Sequence, residues 1–122
     1  MDQILPTSLI IRHDHLKPRL EAMGNRLQSK KYAPDLPLDA YAVRVVGSLM
    51  AETYRLISRE PFARTLPRPV PGAPMSHVEA VSAMRAALLA LDIFHERHDI
   101  DFEFYERDRI VEARGASRNA GF

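Results

Sequence analysis

The 122-residue chain contains no cysteine. Disulfides, thiolate zinc sites and thiol nucleophiles are thereby excluded, and the absence fits a reducing compartment. Long apolar runs are missing too, since none approaches the ~18–20 residues needed to span a bilayer. The opening Met1-Asp2-Gln3-Ile4-Leu5-Pro6 lacks the basic segment and apolar block of a secretory signal. A cytoplasmic protein is the expectation. Glycine is scarce, with five residues, and none falls into Gly-x-Gly-x-x-Gly or Gly-x-x-x-x-Gly-Lys. No phosphate-cradling loop is therefore expected. Charge of one sign does not dominate, because the formal net charge is +1.

That balance hides an asymmetry. Through residue 70, 11 Lys/Arg face 7 Asp/Glu, whereas from residue 71 onward 6 face 9. Such a division can orient a protein between partners or on a polyanion, and it is equally compatible with a solvated surface. Apolar residues make up 46% and charged residues 27%, as in ordinary globular proteins. The length predicts one domain over 1–122, able to bury about two thirds of its unfolded surface.

Apolar periodicity predicts three helices. Asp14 can cap the first, over 14–30, where Leu16, Leu20, Met23 and Leu27 step by four, three and four. Pro18 is tolerated there in the first turn, and Gly24 weakens the helix by about 1 kcal/mol relative to alanine. Pro34 and Pro37 break the pattern. The second helix, over 38–58, carries a stripe of Leu38, Tyr41, Ala42, Val45, Leu49 and Leu56, widened by Val46 and Ile57. The third, over 76–98, opens on a capping box, Ser76 with Glu79. Its stripe of Val81, Met84, Leu88 and Leu91 steps onward to His95 and His98.

The intervening segment 61–75 holds Pro61, Pro67, Pro69, Pro71 and Pro74. It is expected to be a crossover joining two antiparallel helices, the alternative being a proline-rich recognition segment. Leu9-Ile10-Ile11 predicts an extended N-terminal arm. Asp99 to Phe104 alternates acidic and apolar residues, which predicts a strand whose hairpin partner is Arg109 to Ala113. A helix is the alternative, since Phe104 and Val111 sit seven apart. Residues 115–122 are expected to fray. The predicted fold is mainly α: a three-helix bundle with a proline-rich crossover, an extended N-terminal arm and a short C-terminal β-hairpin.

Chemistry is thinly signalled, and no catalytic residue or cofactor is expected. His95 and His98, three apart on one helical face, are weak metal candidates. His13 or His15 could supply a third ligand only if the N-terminal segment folds against the end of the third helix. The simpler reading places polar histidines near a helix C-terminus, where its negative end favours them. Arg12, Lys17, Arg19, Arg26, Lys30 and Lys31 could form a basic face contacting a nucleic-acid backbone. Leu89, Ile93 and Phe94 fall off the main stripe of the third helix and form a candidate protein interface.

The leading functional expectation is a non-enzymatic helical subunit or regulator. It would dock on a protein partner or a second copy, with the basic N-terminal half facing nucleic acid in a nucleoprotein setting. One alternative is a metal- or histidine-dependent enzyme centred on His95, His98 and Asp99. The other is a helix-turn-helix regulator that turns at Val46-Gly47-Ser48 and reads DNA through residues 49–58.

Overall fold

The computed structural model describes residues 5–29, 37–70 and 73–120. Among them are four helices: α1 (Thr7–Ser29), α2 (Ala40–Ile57), α3 (His77–Arg97) and α4 (Asp99–Ala120), with a short 3-10 turn at Pro61–Thr65. The protein is mainly helical, with no strand among the described residues.

Two predicted elements give way to helix. The extended arm is absent, since α1 begins at Thr7 and Leu5 is already buried. The core stripe of α1 starts earlier than the leucines suggested: Ile10, His13, Leu16, Leu20, Met23 and Leu27 are all buried at steps of three and four. His13 fills an apolar position, which hid the first two turns from a hydrophobicity reading. Asp14 therefore sits inside the helix instead of capping it. Pro18 lies mid-helix and removes one backbone hydrogen bond there. Burial of Leu16 and Leu20 on either side keeps the helix continuous.

The C-terminal hairpin is likewise replaced, by α4. Asp99 and Asp101 occupy its first turn, where the helix dipole favours acids. Arg107 donates to Glu103 at 2.6 Å across one turn, a pairing a strand would not make. The helix continues through most of the predicted frayed tail, to Ala120, and residues 121–122 lie outside the described residues.

Helices α1, α2 and α3 pack on one another. The expected cap of α3 is present, as the Ser76 hydroxyl accepts from the Glu79 amide at 3.2 Å. Asp39 caps α2 by accepting from the Ala42 amide at 2.7 Å. In α3 the buried row is Ala80, Ala83, Ala87, Ala90 and Phe94, flanked by Met84 and Leu91. These alanines are the contact row along which its neighbours approach closely, and an added Cβ on Gly24 would lie only 3.8 Å from the Cβ of Met84.

The crossover corrects a topological expectation. The Leu38 amide donates to the Met75 carbonyl at 2.9 Å, and Pro37 bridges Ser76. Helices α2 and α3 therefore start at the same end. Their other ends also meet, because Arg97 Nε donates to Glu60 Oε2 at 2.9 Å. The two helices run parallel, and the proline-rich segment is a strap returning along α2. Helix α1 runs antiparallel to both, with His13 near Leu91 and Arg19 bonded to Glu52 at 2.7 Å.

Candidate docking groove and the histidine cluster

The return of the strap along α2 creates a large concave feature among the described residues. A groove of about 1240 Å³ lies between the outer face of α2 and residues 67–70 and 73–75. Its floor is apolar, with Val43, Met50, Ala51, Pro69 and Met75, and Gly47 leaves a gap in the α2 wall. A Cβ added at Gly47 would meet nothing within 4 Å. Arg44, Arg55 and Arg68 also line it, and among the described residues its lining carries no carboxylate. Arg68 is held over the Tyr54 ring, 3.6 Å from its centroid, a cation–π contact that ties the strap to α2. An apolar trough with uncompensated positive charge suits a ligand that is both greasy and acidic.

Sequence reading missed this groove. Its α2 wall includes four small residues, Ala40, Gly47, Ser48 and Ala51, which carry no periodic signal. The strap looked like a plain connection. Tyr41, placed on the predicted core stripe, is 61% exposed, while Thr53 is fully buried. The Thr53 hydroxyl donates to the Leu49 carbonyl at 2.8 Å, so a polar residue occupies a core position without a lost hydrogen bond. The core face is accordingly rotated away from Tyr41.

His13, His95 and His98 are gathered at the C-terminal end of α3. The start of α1 does fold against that end, as a third metal ligand would require. However, His13 is buried and its nitrogens are engaged: Nδ1 lies 3.1 Å from Asp14 Oδ1, and Nε2 lies 3.2 Å from the Leu91 carbonyl. A neutral ring has one N–H and can serve one of these acceptors; a doubly protonated ring serves both. His13 stacks on His95 with centroids 5.6 Å apart, and Phe102 of α4 meets both rings edge-on, at 4.8 Å and 4.3 Å. This is a packing cluster of ring faces and edges.

His98 takes different partners. Its Nε2 bonds Glu60, its Nδ1 lies 3.9 Å from Asp101, and its backbone amide caps α3 by donating to Phe94 and His95. Together with Arg97 it fastens the chain just after α2 to the α3–α4 joint. Asp99, the acid expected beside it, is exposed. Among the described residues no group of three or more His, Asp or Glu side chains is placed to hold a metal ion.

The remaining candidate residues separate. Leu89 is 60% exposed and Ile93 half-buried, but Phe94 is buried in the core. The predicted interface therefore loses its aromatic member, whose ring packs among His13, His98 and Phe102. Arg12, Arg19 and Arg26 recur every seven residues on α1, within about 20° of one another per step. Lys17 lies roughly 140° around from Arg12 and sits 3.8 Å from Asp92. Arg19 is bonded to both carboxylate oxygens of Glu52. Lys30 and Lys31 lie outside the described residues. The turn required by a helix-turn-helix is absent, because α2 runs unbroken through Val46-Gly47-Ser48.

No family model, curated protein or solved structure matches this chain. Among the described residues no helix is long and apolar enough to cross a membrane.

Proposed function

We propose that this chain is a docking module, a small helical subunit or regulator that captures an acidic, apolar helical segment of protein in the α2–strap groove. The observation that carries this reading is the pairing of an apolar floor with three arginines and no carboxylate in the described lining. An amphipathic helix laid in such a groove buries its apolar face and sets its acids against the rim. The rim charges mainly steer association and fix orientation, so salt slows binding more than it speeds release.

A fluorescent helical peptide of unrelated sequence, with one leucine-rich face flanked by glutamates, tests this directly. Saturable binding that weakens as salt rises is expected. Gly47→Trp fills the groove from a position with open space and abolishes binding, while Gly47→Ala leaves it intact. Failure to bind any such peptide at protein concentrations where the chain is monomeric would remove the reading.

A second reading concerns α1. The seven-residue recurrence of Arg12, Arg19 and Arg26 forms one basic face suited to phosphate contacts without sequence readout. Glu52 already engages Arg19, so the groove remains the better-supported site.

A further inference from the structure

We infer that the groove is occupied by α4 of a second copy of this chain; this rests on the docking reading and names its occupant. Helix α4 is anchored by Phe102, which is buried against His13, Phe94 and His95, and by Tyr105, partly buried against the core. From Glu106 to Glu112 every side chain is exposed. At about 100° per residue, Ile100, Phe104 and Val111 fall within about 40° of one another. They lie roughly 160–180° from Phe102 on the helix circumference. Their exposures are 67%, 58% and 67%, so α4 carries an apolar stripe on the face opposite its anchor, with Arg107 on the same face and its guanidinium 6.0 Å from the Phe104 ring centroid.

The charges around that stripe match the groove. Over Asp99–Ala120, α4 has six carboxylates against four arginines, two of the arginines lying beyond Glu112, and Arg107 is already paired with Glu103. The described groove lining offers three arginines and no acid. Every molecule thus carries both an acidic, apolar helix and an apolar trough of opposite charge. The chain's own groove cannot take the stripe, since the stripe faces away from the bundle in which Phe102 is buried. A second molecule can. Because each copy presents both a groove and a helix, a reciprocal exchange around a two-fold axis satisfies both pairs and closes as a dimer.

Light scattering after size exclusion and sedimentation equilibrium, on the full chain, test this assignment. The wild type is expected to dimerise, more weakly in high salt. Gly47→Trp and Phe104→Glu alter an open groove position and an exposed stripe position, so circular dichroism should report native helix content for both. Each variant homodimer loses both reciprocal pairings, so dimerisation is expected to weaken at least roughly a hundredfold, about tenfold for each pairing lost. Mixing the two variants provides the decisive arm: one retains its helix and the other its groove, so a heterodimer forms through the single intact pairing.

A wild type that stays monomeric, folded variants that dimerise like the wild type, or a mixture no more associated than its components would each overturn the assignment. A monomeric wild type that still binds the unrelated acidic peptide removes the self-partner and leaves the docking reading standing. One that binds nothing removes both.

Discussion

His13 shows how much one side chain can decide. It is a core residue by burial and a polar one by chemistry, and it joins three helices: its own, α3 through the Leu91 carbonyl, and α4 through the Phe102 ring. Truncation to alanine removes a ring from a packed cluster and leaves a cavity, and we expect a loss of about 2–4 kcal/mol in denaturant unfolding. His13→Phe keeps the ring volume and should cost less. If His13→Ala unfolds like the wild type, the cluster contributes nothing to stability. The same residue explains why the start of α1 was hard to read. Leucine spacing alone begins the stripe at Leu16, and only a histidine counted as apolar extends it to Ile10. Pro18 added to the error, because a mid-helix proline is rare enough to suggest a first turn.

At the scale of elements, explicit local signals were legible and tertiary choices were not. The Ser76 cap and the position of α3 follow from hydrogen-bond chemistry within a few residues. Which face of α3 turns inward does not, since the helix has large apolar residues nearly all round. The structure buries the alanine row and leaves Leu89 outside, because small side chains let α1 and α2 approach closely. Enlarging that row should therefore be costly: Ala87, with no exposed surface, replaced by leucine is expected to lose about 1–3 kcal/mol from overpacking. Leu89→Ala, at an exposed site, should stay within about 0.5 kcal/mol. Thermal melts that rank the two substitutions the other way would contradict this assignment of faces. For α4, alternation over six residues pointed to a strand, with a helix as the alternative from the spacing of Phe104 and Val111. The acidic first turn and the Glu103–Arg107 pair favour the helix, and no second strand exists among the described residues to pair with.

For the whole molecule, the consequential feature is the path of the strap. A proline-rich segment of this length could have joined antiparallel helices by a loose excursion. Instead it runs back along α2, pinned at one end by Leu38 and Met75 and at the other by Glu60 with Arg97 and His98. Helices α2 and α3 are thereby parallel, and a walled groove opens on the outer side of α2. No pattern in the sequence announces it, because a groove is made by residues that fail to fill space: Gly47, Ala51 and the rigid prolines opposite them. The acid-rich C-terminal third and the arginines of the first seventy residues were visible as a charge division. The fold turns that division into a complementary helix and trough. Amide chemical-shift mapping during titration with the acidic helical peptide tests this most directly. Docking in the groove predicts the largest shifts at Gly47, Ala51 and Met75. Shifts confined to Leu89 and Ile93, or to the Arg12–Arg19–Arg26 face, would contradict it.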